Sequence, residues 1–310
     1  DQWHQYLKKQ YWPDINNKSN ISEISFQLTN HLELKNHYNI APVLSPNGKE
    51  IALFSDRSGI INLYLMNATD GKFKKRIIRG ERTLDVEEMH ILKPGITWSP
   101  DGNQLAVAVK SGKSDAIIFF NLETNKKEIK RFDIKGIFRP TWHPTKNIIA
   151  FIGNDGFSSD IYLYDIDNDN LTNYTNDWFS DDQVSWDSSG ESLYFISNRG
   201  SYTKINSFHE INDSIAQNID IEQYDIYSVN MRNDEIIRHT NTDYNESYPQ
   251  YANDDKILAY ISDKNGINNI YLKQDSYDKS VPITNILTGI TQLSWNVETD
   301  QMIFTGFNNS

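Results

Sequence analysis

Seven histidines stand at positions 4, 31, 37, 90, 143, 209 and 239, and no two of them share the His-Glu-x-x-His spacing that would set a zinc ion on one helix face. There is no Gly-x-Ser-x-Gly elbow to expose a nucleophilic serine, and no glycine-rich loop to cradle a phosphate. Cysteine is absent, which excludes disulfides, thiolate metal sites and thiol catalysis. The run Asp165-Ile166-Asp167-Asn168-Asp169-Asn170 alternates carboxylates as a calcium loop does. It has Asn170 where the loop needs glycine and Asn176 where it needs an acid, so an Asx-type turn accounts for it better. The residue types therefore predict a chain that is not an enzyme by itself, with no catalytic residues, no metal site and no cofactor.

The formal charge of −12, from 42 acidic and 30 basic side chains, would repel a nucleic-acid backbone and leaves a basic protein surface or a cation as compatible partners. No apolar run reaches the roughly 20 residues that cross a bilayer, so direct membrane insertion is not expected. With 17 Tyr, 14 Phe and 7 Trp the composition suits pleated, half-buried surfaces, and an all-β fold leads.

The elements that would carry any site are set by an internal repeat. Leu44-Ser45-Pro46-Asn47-Gly48, Trp98-Ser99-Pro100-Asp101-Gly102, Trp142-His143-Pro144-Thr145-Lys146 and Trp186-Asp187-Ser188-Ser189-Gly190 are versions of one turn. Weaker copies follow at Tyr251-Ala252-Asn253-Asp254-Asp255 and Trp295-Asn296-Val297-Glu298-Thr299. Their third positions are 54, 44, 44, 65 and 44 residues apart. A second marker, the pair at Leu63-Tyr64, Ile117-Ile118, Ile161-Tyr162, Ile226-Tyr227 and Ile270-Tyr271, repeats at 54, 44, 65 and 44. Two unrelated features thus share a 44-residue unit, and each unit divides into four short strands, a to d, punctuated by turn residues.

Four-stranded units of that length are propeller blades, which bury their faces on one another around a channel. Six blades are expected over residues 22–310. The sixth supplies strands a and b only, and Ile24-Ser25-Phe26-Gln27-Leu28-Thr29 is expected to complete it as an N-terminal strand. The aromatics that open each turn are expected between blades. Trp3, Tyr6, Leu7 and Tyr11 fall at helical spacing, so residues 1–21 are expected to be a short helix, ended by Pro13, and a linker. That helix is expected to pack on the propeller or to be the stump of a preceding domain.

The segments Trp98-Ser99-Pro100-Asp101-Gly102, Phe54-Ser55-Asp56-Arg57-Ser58-Gly59 with Asn62-Leu63-Tyr64, Phe195-Ile196-Ser197-Asn198-Arg199-Gly200 and Tyr260-Ile261-Ser262-Asp263-Lys264-Asn265-Gly266 resemble the TolB-like, WD-type propeller repeat of bacterial cell-envelope proteins. The resemblance covers residues 22–310. It implies a six-bladed propeller, periplasmic or on the cell surface, within a larger multidomain chain. Residues 3–13 are also similar to the tail of a zinc-peptidase-like domain that precedes such propellers in some envelope proteins.

In this topology a–b and c–d turns share one face, and b–c and d–a loops share the other. The two long insertions, around Glu81–Gly95 and Ser201–Gln223, both belong to the b–c/d–a face. The candidate partner-binding rim there is Glu81, Asp85, Glu87, Glu88, His90, Trp178, Phe179, Asp181, Asp182, Tyr244, Asn245 and Glu246. Carboxylates beside aromatics at a channel mouth suit the docking of a protein, including a basic one. Arg57, Arg199 and Lys264 recur after strand b and could instead pair with those acids as internal scaffolding. The expected function is a non-catalytic protein–protein interaction domain. Alternatives are an accessory propeller that gates substrate for a surface hydrolase or peptidase, and a small-molecule or cation site in the channel.

Overall fold

The computed structural model describes residues 2–80, 83–205, 220–277 and 279–307; for Lys8 and residues 12–15 it describes the helix backbone alone. Blade one is β1 (Asn39–Leu44), β2 (Glu50–Ser55), β3 (Asn62–Asn67) and β4 (Phe73–Arg79). Blade two is β5 (Ile96–Trp98), β6 (Gln104–Ser111), β7 (Ser114–Asn121) and β8 (Lys127–Arg131). Blade three is β9 (Gly136–Trp142), β10 (Ile148–Asn154), β11 (Ser159–Asp165) and β12 (Asn170–Asn173). Blade four is β13 (Asp181–Trp186), β14 (Ser192–Ser197), β15 (Asp225–Asn230) and β16 (Ile236–Arg238). Blade five is β17 (Glu246–Ala252), β18 (Ile257–Ser262), β19 (Asn269–Gln274) and β20 (Val281–Pro282). Each is an antiparallel meander in sequence order.

Six blades were expected, and five complete ones are present. The sixth repeat forms only a two-stranded sheet of β21 (Ile290–Asn296) and β22 (Gln301–Gly306). The strand expected at residues 24–29 is absent. Residues 21–24 form a helical turn, α2 (Ile21–Ile24), because the Glu23 carboxylate reaches back to the Asn20 amide at 3.3 Å, and 25–30 have no regular structure. The segment instead runs as a strap beside the two-stranded sheet. Ser19 N–H donates to the Asn285 carbonyl at 2.8 Å, Ile21 packs against the same buried cluster as Met302 and Phe304, and Leu28 packs against the core of blade one. The strap then reaches β1 through α3 (His31–Leu34), which Asn30 caps by accepting the Leu32 amide at 2.9 Å.

The N-terminal helix α1 spans Gln2–Asn16 and so runs through Pro13, where the sequence suggested it would end. Trp3, Tyr6 and Tyr11 are exposed, so their faces do not pack on the propeller; Trp3 stacks on Tyr6 at 5.9 Å.

The core lies between blades. Phe54, Leu63 and Ile78 of blade one meet Trp98, Leu105 and Ile118 of blade two, and equivalent clusters follow around the ring. Leu44, Leu53 and Tyr64 meet Ile303 of β22 and close it. The strand-a aromatics sit in these seams. Trp98 Nε1 donates to the Val43 carbonyl of the preceding blade at 3.1 Å, Trp186 Nε1 to Thr141 at 3.2 Å, and Tyr251 stacks on Tyr194 at 4.6 Å.

Candidate functional site: the loop-rich face and the central channel

Strand a is innermost, and in blades one, three, four and five it carries a bulge five residues before the third position of the turn. The residues at that position are Ala41, Gly95, Arg139, Gln183, Tyr248 and Gln292, and all six line one central cavity of about 550 Å³. Ala41, Arg139, Gln183 and Tyr248 hold left-handed backbone, with φ of 51 to 56°. For side chains of this size that conformation costs about 1–3 kcal/mol each and persists because the surroundings fix it. Gln183 Oε1 accepts the Tyr248 amide of the next blade, and Gln292 Oε1 accepts the Ala41 amide at 2.6 Å. Gly95 is needed for another reason: a Cβ there would lie 2.3 Å from Pro140 Cδ and 2.6 Å from Arg139 Cα.

Beside this ring, Asp182 binds two cations, Arg139 Nε and Lys93 Nζ, each at 2.9 Å. Burial works against the Arg139 charge, but Asp182 and Tyr248 outweigh it and raise its pKa. The guanidinium also lies over the Tyr248 ring at 5.1 Å.

The candidate rim residues divide into three groups. Glu87, Glu88, Trp178, Tyr244 and Asn245 are exposed on the b–c/d–a face. Asp85, His90 and Asp182 are partly buried and paired, with Lys127, Asp115 and the Arg139–Lys93 pair respectively. Phe179, Asp181 and Glu246 are buried, so they cannot form contact surface as the rim reading required. Glu81 lies outside the described residues, as do residues 206–219 of the second insertion. The first insertion is anchored by Val86 and Met89, which are buried in the seam between blades one and two.

The three buried rim candidates have structural partners. Asp181 Oδ1 accepts from Arg199 Nη2 at 2.7 Å, Arg199 Nη1 lies 3.2 Å from Asp177, and Phe179 faces the Arg199 guanidinium at 5.5 Å. The scaffold role thus holds for Arg199, whereas Arg57 lies over Phe73 at 4.1 Å. Glu246 accepts from the hydroxyls of Thr242 at 2.6 Å and Thr240 at 3.2 Å, and burial pushes its carboxyl up to about 7.

Sequence reasoning missed a recurring latch. Asp160, Asp225 and Asn269 open strand c in blades three, four and five and accept from Thr175 (3.4 Å), Thr240 (3.4 Å) and Thr284 (2.9 Å) at the end of strand d. The same threonine oxygens accept the amides of Ile161, Ile226 and Ile270 at 3.0, 2.8 and 2.8 Å. The threonine recurs at a fixed distance after the Ile-Tyr marker, which is the signal that could have revealed it. Asp165 to Asn170 form the β11–β12 hairpin, with Asn168 bonded to both Asp165 oxygens.

Five antiparallel four-stranded blades around a lined channel define the class: this is a β-propeller. No protein-family model matches the chain. The Tol-Pal system protein TolB of Ruthia magnifica subsp. Calyptogena magnifica is 36% identical over 91 residues, 28% of this chain and 20% of that protein, so the match spans a fifth of that relative's length. The structure of a TolB from Agrobacterium tumefaciens superposes with a TM-score of 0.62 at 18% identity, covering 87% of this chain and 90% of that one. TolB from Acinetobacter baumannii gives 0.59 at 17% identity, over 80% and 55%. At these identities the structures establish the fold alone, and the zinc-peptidase-like domain suggested by residues 3–13 finds no support among these matches. No described helix is long and apolar enough to cross a membrane.

Proposed function

We propose that this propeller is a non-catalytic protein-interaction domain of the bacterial cell envelope, working in the periplasm or at the cell surface within a larger multidomain chain. It makes contact through its b–c and d–a loops. The observation that carries this reading is the distribution of exposed apolar side chains. Leu84, Leu92, Phe157, Trp178, Ile221 and Tyr244 all stand on that face, whereas among the described a–b and c–d turns only Tyr277 does. Large apolar groups held in water at loop tips gain most from being covered by a partner. Glu87 and Glu88 lie beside them and suit a partner with basic groups at its rim. The similarity to a Tol-Pal system protein supports the envelope setting.

The test is capture from envelope extracts by the intact chain and by a variant with Leu92, Trp178 and Tyr244 changed to Ser. A protein retained by the parent and lost by the variant, with unfolding unchanged, supports the assignment. Equal capture by both rejects this face.

A further inference from the structure

We propose that the central channel holds a site for a small organic carboxylate, built on Arg139, Gln183 and Gln292. The cavity is lined from the ring of bulge residues out to the a–b turns, at Pro46, Pro100, Pro144, Ser188 and Val297, so the site is separate from the loop-rich face. Its volume of about 550 Å³ is in the range of small-molecule pockets.

Hydrogen bonds settle which way the two glutamines point. The Gln183 carbonyl oxygen is committed to the Tyr248 amide, and that of Gln292 to the Ala41 amide at 2.6 Å and the Thr305 hydroxyl at 2.9 Å. Their NH2 groups have no hydrogen-bond partner among the described residues, although both side chains line the cavity. Both side chains are half-buried on the cavity wall, and with their oxygens committed these donors are left to whatever fills the cavity.

Charge agrees with this. Arg139 and Lys93 share the single carboxylate of Asp182, so this group of three carries one net positive charge, and Arg139 is its member on the cavity wall. Asp187 lies at the turn end, roughly 13 Å beyond Gln183 by the strand's rise per residue, and Glu298 lies in the turn after β21. Arg139 is also pinned at φ 51° with its guanidinium over Tyr248, so the planar fork is preorganised. One excess charge, a planar donor fork and two neutral amide donors match a planar carboxylate better than a doubly charged tetrahedral anion.

Calorimetric titration of the intact chain with acetate and lactate, and separately with inorganic phosphate, tests the site. The informative variants are Gln183→Glu and Gln292→Glu. Each keeps an acceptor oxygen for the neighbouring amide while turning the NH2 into an anionic oxygen, so retained folding is checked by circular dichroism. One-to-one binding of a carboxylate tighter than about 1 mM, weakened at least about tenfold by each variant, is expected. No carboxylate binding, binding unchanged by both variants, or binding of phosphate alone would overturn the proposal. None of these outcomes bears on partner capture by the loop-rich face.

Discussion

Arg199 Nη2 stands 2.7 Å from Asp181 Oδ1 with neither side chain exposed, and Asp177 completes the group on Nη1 at 3.2 Å. Three aromatic rings, Phe179, Phe195 and Tyr227, surround the guanidinium within 5.8 Å. Burial lifts the Asp177 carboxyl above its ordinary range, against the pull of Arg199.

Removing the cation strands two buried carboxylates, which is the expensive way to break such a group. Arg199→Met is expected to cost about 3–5 kcal/mol in urea unfolding at pH 8. The loss shrinks at pH 5, where the stranded Asp177 carboxyl takes up a proton, and Asp177→Asn with Asp181→Asn in the same chain recovers most of it. A loss that did not change with pH would mean packing of the Arg199 stem, rather than its charge, holds this seam.

Glu246 gives a pH dependence of defined sign. Burial is the main cause of its rise to about 7 from the ordinary 4.5, and the Thr242 and Thr240 hydroxyls oppose it. The folded chain therefore holds this proton more tightly than the unfolded one. The contribution is fully present below about pH 4.5 and is lost as pH rises to about 7. Glu246→Gln removes that dependence, so its stability relative to the parent should climb across this window by up to about 1.4 kcal/mol per pH unit. His239, lowered by burial to about 4, acts the other way, costing stability as pH falls from 6.5. Comparing variant with parent at each pH, by urea midpoints, cancels it.

The Thr latches should behave as independent copies. Thr240→Val keeps the shape but leaves the Ile226 amide without its 2.8 Å acceptor, and Thr284→Val does the same to Ile270. Each is expected to cost about 1–3 kcal/mol, the penalty of an unsatisfied buried donor. The two sites belong to different blades, so the double variant should show the sum within about 0.5 kcal/mol. A double variant no worse than either single one would show that one seam limits the stability of the whole ring.

The parts of the fold that were legible in the sequence are those written locally. The Pro and Gly of each turn and the apolar run of strand b placed Ile51–Phe54 inside β2 and Leu193–Ile196 inside β14. What failed depends on contacts made across the ring. Residues 24–29 have a strand's composition, but Asn20 and Glu23 start a helical turn and Leu28 is taken by blade one. Asp181 and Glu246 were read as rim acids because they are charged and near loops. Their register says otherwise: both stand seven residues before the turn, where Asn39 stands in blade one, and each pairs with a strand-b serine, Ser197, Ser262 and Ser55. The exposed candidates Trp178 and Tyr244 have no such pairing, whereas the Asn245 amide donates to Asp263 at 2.9 Å as the Tyr38 amide does to Asp56 and the Ser180 amide to Asn198.

Closure of the ring rests on few groups, since the sixth repeat supplies only two strands. Asn296 Nδ2 donates to the carbonyls of Ser45 at 2.7 Å and Pro46 at 3.1 Å, joining β21 to the first turn of blade one. Asn296→Ala leaves both oxygens without this donor while the apolar seam of Leu44, Leu53 and Ile303 stays intact. Loss of those bonds, worth about 1.4 kcal/mol together, should raise local opening about tenfold. Amide hydrogen exchange should therefore quicken in β21, β22 and β1 and stay unchanged in blades three and four, because sub-global opening needs only the weakest seam to part. Faster exchange in all blades would show instead that the two-stranded sheet holds the entire ring under one cooperative transition, and that the five complete blades cannot stay assembled once it detaches.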